Sequence, residues 1–283
     1  MKEIKVVTDI SSALSPIAVE ATDVEIVPMT VYAGVSAEPV DVQQTESFWR
    51  GWDSDYIGTV RIAQPTPGDF YKTYHRLLSE SQKELSIVAL LSSESLTSSV
   101  PAARTAADML GSEQIQIIDS SLIGPPLGQL VLEASMMAEE ITSVRELTEH
   151  VERIASNINA FFYAGNVNSL RLKPKKGISG VADSVQGMLR GDIFALQDGF
   201  LESLGMRCAD SESAEVLSEL ILDKVKNPSL LGVMSAGAEN EAGRLRRLLK
   251  QKQMDLETEQ WVIDLVLGSF LGPGSVGVFA IER

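Results

Sequence analysis

The densest run of chemistry-bearing side chains is Ser92-Ser93-Glu94-Ser95-Leu96-Thr97-Ser98-Ser99, in which six of eight residues carry a hydroxyl. It follows Leu85 to Leu91, a continuous apolar run that fits a strand covered on both faces, and it leads into a helix over Pro101 to Leu110. In an open α/β sheet the ligand crevice lies beyond the carboxyl ends of the strands, where the first N–H groups of a following helix lack intrahelical partners. Hydroxyl donors placed there hold a carboxylate or phosphate without any basic residue. The same serines would serve equally to cap the helix and satisfy the turn, and spacing alone leaves both readings standing.

Asp9 and Asp119 each close a predicted strand at the same edge of the sheet, so they invite pairing as acid and base or as magnesium ligands. The plainer reading is favoured. An aspartate after a strand takes up loose loop N–H groups, and no third carboxylate, lysine or histidine stands at a telling spacing. His75 and His150 both fall inside predicted helices among charged neighbours and read as solvated surface residues. Gly272-Pro273-Gly274-Ser275-Val276-Gly277 matches the dinucleotide fingerprint letter by letter, but a strand follows where that fold needs a helix. It reads as a tight turn that lets backbone approach another strand or a ligand. The basic residues Arg171, Lys173, Lys175 and Lys176 have no stacking aromatic among them and suit a solvated loop or a protein contact better than RNA.

Composition narrows the classes further. With 44% hydrophobic and 22% charged residues in 283, the chain is expected to fold, as two modest domains or one large one. Lys plus Arg number 24 against 39 Asp plus Glu, a formal charge of −15, which repels phosphate backbones and anionic headgroups. Nucleic acid is therefore not an expected partner. One cysteine, Cys208, and two histidines exclude an internal disulfide, a Cys/His zinc site and a Cys–His nucleophile pair. No uninterrupted apolar stretch of about eighteen residues occurs, and no leader-type cleavage signal follows Met1, so a cytoplasmic protein without an integral membrane segment is expected.

The elements that position these residues follow from pattern. Ile4 to Thr8, Leu85 to Leu91 and Ile115 to Ile118 are strand-like runs, each closing on a polar loop and then a helix, which predicts a mainly parallel sheet flanked by helices. Val24 to Val31 reads as a strand whose Pro28 argues for an edge or a bulge. Thr45 to Trp52 reads as a short helix, and Asp69 is expected to cap another after the breaker Gln64 to Gly68. From about residue 157 the pattern becomes α+β with a mixed or antiparallel sheet. Asn157 to Val167 is a strand, Asp198-Gly199 is a hairpin signal, and Leu230 to Met234, Trp261 to Leu267 and Ser275 to Ile281 are further strands between helices. The expected division is 1–156 and 157–283.

Val7-Thr8-Asp9 with Ser11-Ser12, Gln64-Pro65-Thr66-Pro67-Gly68-Asp69-Phe70, Ser92-Ser93, Ile118-Asp119-Ser120, Asp198-Gly199 and Gly272-Pro273-Gly274 stand in the order and at the spacings of the bacterial DegV family. The resemblance spans nearly the whole chain. It implies a non-catalytic lipid-binding protein, needing no cofactor or metal, that holds a long-chain fatty acid in a cleft between its domains. It also implies presentation of the carboxyl group to a separate fatty acid kinase. Residue by residue, it implies a ligand set of Ser92, Ser93, Ile62, Ala63, Phe270, Arg207 and Gly272, with departures from the family pattern. Ile62-Ala63 stand where Thr-Ser usually precedes Gln-Pro, and Phe270 stands where a histidine usually precedes the Gly-Pro-Gly turn by two residues. Ser93 matches the headgroup contact, Glu94 replaces a small residue, and Arg207 corresponds to an arginine after the hairpin. Lys175-Lys176-Gly177-Ile178-Ser179 alters Gly-Gly-Arg-Ile-Ser, and Ser235 lies where a histidine is common.

Burying about fourteen methylenes contributes up to roughly 11 kcal/mol before ordering costs, whereas losing two hydrogen bonds to a charged headgroup forfeits about 3 to 6 kcal/mol. Tail burial survives that loss, so the expectation is an acyl chain or another elongated apolar ligand with a differently polar head. Two alternatives compete: a degenerate scaffold or regulatory protein whose pocket its own side chains fill, and a small-molecule kinase subunit related to dihydroxyacetone kinase. The second needs a substrate-bonding histidine in a loop at a strand end, and neither His75 nor His150 is so placed.

Overall fold

Chain order in the computed structural model, which describes residues 3–33, 38–40, 45–51, 61–165, 190–252 and 256–282, begins with β1 (Glu3–Asp9), α1 (Pro16–Thr22), β2 (Glu25–Val27), β3 (Thr30–Ala33), β4 (Glu38–Val40), α2 (Thr45–Arg50) and β5 (Arg61–Ala63). It continues through α3 (Pro67–Glu80), β6 (Leu85–Leu91), α4 (Ser99–Leu110), β7 (Ile115–Asp119), α5 (Pro125–Glu140) and α6 (Val144–Asn157). Then come β8 (Ile158–Ala164), β9 (Arg190–Gln197), β10 (Phe200–Ala209), α7 (Ser213–Lys224), β11 (Pro228–Ser235), α8 (Glu239–Lys252), β12 (Thr258–Val262), α9 (Leu265–Leu271) and β13 (Val276–Glu282). Contacts group the chain into two units: 1–31, 62–156 and 198–200 form the first, and 32–61, 157–197 and 201–283 the second. A small sheet of order β4-β3-β5 accompanies the two main sheets.

The first unit carries a sheet of order β2-β1-β6-β7, paired in parallel throughout. All seven residues of β6 are buried, as its unbroken apolar run requires of an interior parallel strand. Ile87, Ala89 and Leu91 pack with Phe70 and Tyr74 of α3 and with Val100, Ala103 and Ala106 of α4. Side-chain alternation sends Val88 and Leu90 to the opposite face, and α5 packs on β1. Pro28 ends β2, which is an edge strand, and splits the predicted Val24 to Val31 strand into β2 and β3. The start of α3 corrects one expectation. Thr66, not Asp69, is the N-cap; its hydroxyl accepts from the Asp69 N–H while the Asp69 carboxylate accepts from the Thr66 N–H, a reciprocal box with Pro67 in the first turn.

The second unit is built on a sheet of order β10-β9-β8-β13-β11-β12, antiparallel except for β11 with β12. Its core joins Phe161, Tyr163, Ile193 and Ala195 to Leu217 and Ile221 of α7 and Leu245 and Leu249 of α8. Asp198 and Gly199, at φ 48° and 77°, form the two-residue turn joining β9 to β10. The run Trp261 to Leu267, expected as one strand, instead divides. The Asp264 carboxylate accepts from the N–H groups of Val266 and Leu267 at 2.8 and 3.0 Å and so starts α9, leaving β12 to end at Val262. The basic residues 171–176 and the segment 175–179 lie outside the described residues, as does Trp52.

Candidate functional site

The hydroxyl-rich loop sits between β6 and α4, with the carboxyl ends of β1 and β7 beside it. Asp9, the last residue of β1, is fully buried and receives four donors: the N–H and hydroxyl of Ser11, and the N–H and hydroxyl of Ser92 at 3.0 and 2.8 Å. The Ser92 hydroxyl also meets that of Thr97 at 2.7 Å. Ser93 donates its N–H to the Leu122 carbonyl and its hydroxyl to the Gly199 carbonyl, both at 2.8 Å. Asp119, ending β7, accepts from the N–H groups of Glu94 and Ser121. Thus Asp9 and Asp119 both gather loop donors. Among the described residues no cluster of three or more His, Cys, Asp and Glu side chains is placed to hold a metal.

The remaining N–H groups of the loop are also bound within the protein. Ser95 reaches the Ser93 hydroxyl, Leu96 and Thr97 reach the Ser93 carbonyl, Ser98 reaches the Gln64 side-chain oxygen, and Ser99 reaches the Thr97 hydroxyl. Gln64 therefore ties the stretch following β5 to the start of α4. Ile62 is half-buried and Ala63 exposed. Three fully buried hydroxyls nearby, on Thr8, Ser12 and Ser99, have no hydrogen-bond partner among the described residues. Each is a place where a buried polar group asks for a mate.

Phe270, Gly272 and Arg207 belong to the second unit. Phe270 is half-buried near the end of α9, and Gly272 terminates that helix at φ 82°, donating to the Gly268 carbonyl and accepting from the Ser275 hydroxyl at 2.7 Å each. Arg207 lies on edge strand β10 with its guanidinium on Asp192 at 3.1 Å and on the Arg190 carbonyl at 3.2 Å. His75 is exposed and stacked on Tyr71. His150 is half-buried beside Arg153, and burial together with that cation lowers its pKa. Cys208 is buried, and desolvation with Glu212 and Asp210 nearby pushes its thiol up to about 11, far from a reactive thiolate.

What sequence reading missed is the tie between Ser93 and Gly199. At 106 residues' separation it leaves no local signal beyond the glycine itself, where a Cβ would stand 2.5 Å from the Ser93 hydroxyl oxygen.

Comparison with known proteins agrees over the whole length. The family model described as an uncharacterised protein family, DegV, matches residues 3–283. A DegV domain-containing protein of Clostridium acetobutylicum is 26% identical over 287 residues, covering 100% of each chain. The solved structure of a DegV family protein from Thermus thermophilus, described by its fatty acid binding, is similar with a TM-score of 0.81 at 20% identity, over 99% of this chain and 100% of that one. DegV from Bacillus subtilis, described as a fatty acid binding protein, gives 0.80 at 16% identity over 99% of each. At these identities the structural likeness establishes the α/β fold. Among the described residues no helix is long and apolar enough to cross a membrane.

Proposed function

The chain belongs to the DegV family, and on that premise we propose that it is a binding protein rather than a catalyst, holding a long-chain fatty acid or similar acyl ligand. The observation that carries this reading is likeness along the entire chain to solved relatives that are described as fatty acid binding proteins. The chemistry of the loop agrees with it. Its aspartates gather N–H and hydroxyl donors and its serines are bound to neighbours, an arrangement that holds the loop in place at the strand ends. The Ser92-Ser93 loop, with Ile62 and Ala63, takes the polar end in this reading, and Phe270, Arg207 and Gly272 complete the ligand set. The tail supplies most of the affinity, roughly 0.8 kcal/mol for each methylene buried. As a cytoplasmic carrier it would offer the polar end to a separate acyl-processing enzyme, a fatty acid kinase being the partner the family resemblance implies.

Organic extraction of gently purified protein, followed by mass spectrometry, tests the reading. About one acyl chain per protein molecule is expected. Recovery of no lipid of any class, together with no binding of added C14 to C18 acyl compounds, would overturn it.

A further inference from the structure

We infer that Trp49 is a positioning residue for the ligand. Its indole backs α9 so that Phe270 stands forward on the opposite face, and that spacing sets how bulky a polar end the protein accepts. The inference rests on the acyl-binding reading above, in which Phe270 belongs to the ligand set at the position where a histidine is usual. Trp49 is the buried residue of α2, 4% exposed, and its place is fixed within the second unit. The indole N–H donates to the carbonyl of Ile263 at 2.6 Å, next to the Asp264 cap of α9. The ring lies across Gly268, where a Cβ would overlap a ring carbon, and the Trp49 backbone carbonyl lies 3.0 Å from where a Cβ of Gly237 would stand. Glycine at both positions permits an approach this close.

At about two turns, α9 is too short to hold its own position, so what packs on it decides where it sits. Five of its seven residues are buried, and Ser269 and Phe270 are half-buried. With about 100° between successive residues, Phe270 points roughly 200° round the helix from Gly268, away from the indole. Gly268 is the middle residue of the seven, so the thickness of what lies on it moves the helix as a whole. A thinner filler lets the helix settle part of the way into the vacated space, and an added methyl group drives it the other way. The contact therefore has a sign. Trp49→Ala draws Phe270 back, and Gly268→Ala pushes it forward, because the ring that the new methyl strikes is held at Ile263 and Gly237.

Displacement of the neutral dye Nile red from the full chain stripped of lipid measures palmitate, methyl palmitate and isopropyl palmitate side by side. The two esters share a tail and differ in the bulk of the head alone. The ratio of isopropyl to methyl ester affinity should rise about fivefold or more in Trp49→Ala and fall about threefold in Gly268→Ala, with Trp49→Phe between Trp49→Ala and the wild type. In Phe270→Ala the ratio should already be high, and adding Trp49→Ala should move it by less than about twofold, as a residue acting through Phe270 requires. A merely structural role weakens both esters alike and leaves the ratio unmoved. Ratios unchanged in the variants, shifts of the same sign in Trp49→Ala and Gly268→Ala, or a Trp49→Ala effect that persists without Phe270 would each overturn the inference. Should Trp49→Ala lack the circular dichroism of a folded chain, Trp49→Phe and Gly268→Ala carry the same test with the same signs. Displacement of the dye by none of the three ligands from the wild type would instead overturn acyl binding itself, and the inference with it.

Discussion

Asp9 shows how a buried charge is kept in place by donors alone. Its carboxylate is removed from water, and four hydrogen bonds from Ser11 and Ser92 take the place of hydration. Asp9→Asn keeps the shape but turns one acceptor into a donor facing a donor. We expect a loss of about 3 kcal/mol in urea unfolding, since a buried group left unmated costs about 1 to 3 kcal/mol and two are created. A loss under about 1 kcal/mol would mean that the network is slack. Asp69 gives the exposed counterpart. Hydrogen bonds from the Thr66 side chain and backbone hold its carboxyl below the usual 3.8, so its contribution to stability is present above that value and is lost as pH falls through the lowered one. The stability gap between the wild-type chain and Asp69→Asn should therefore be constant from pH 5 to 7 and close below pH 3.8. A gap that persists at pH 2 would assign the effect to something other than ionisation. Both roles were legible in the sequence as strand-end and helix-start aspartates; only the choice of Thr66 as the cap was not, because Thr66 and Asp69 each bond the other's N–H and pattern alone does not rank them.

Elements were read most reliably where period and punctuation agreed. Leu85 to Leu91 had nothing but strand length and apolar character, and burial on both faces followed. Trp261 to Leu267 had the same apolar character with an aspartate inside, and Asp264 turned the second half into a helix by supplying the acceptor that the first N–H groups of α9 require. The position of α2 was not legible at all. Trp49 buries its ring against Gly268 of α9 and donates its indole N–H to the Ile263 carbonyl at 2.6 Å, a meeting of residues more than two hundred positions apart. A Cβ at residue 268 would overlap that ring, so Gly268→Ala should cost about 1 to 3 kcal/mol by overpacking. Trp49→Ala should cost about 3 to 5 kcal/mol by the cavity it leaves. In the double variant the alanine methyl enters space the indole vacated, so the losses should fall short of their sum by more than about 1 kcal/mol in a double-mutant cycle. Simple additivity would show that the ring and the glycine do not share the space.

At the scale of the whole molecule, charge is the property that sequence alone carries in full, since folding changes where charges sit but not their sum. The two units and the distant contacts within them depended instead on which surfaces meet, which no local pattern records. The excess of 15 acidic groups sets long-range repulsion against the described ion pairs, and the two respond to salt with opposite signs. Most of those pairs are exposed, such as Lys83 with Glu3 and Arg104 with Glu94. Pairs of this kind contribute about 0 to 1 kcal/mol each, so screening them removes little. Repulsion among the unpaired carboxylates acts on the compact state as a whole, and salt relieves it. The melting temperature at pH 7.5 should therefore rise by a few degrees as sodium chloride goes from about 10 to 200 mM, where the screening length falls from roughly 30 to below 10 Å. A chloride and a sulfate series compared at equal ionic strength separates screening from the general stabilisation that sulfate adds by exclusion from the surface. If the melting temperature instead falls with chloride, the paired charges outweigh the surplus, and the acidic surface is organised rather than merely self-repelling.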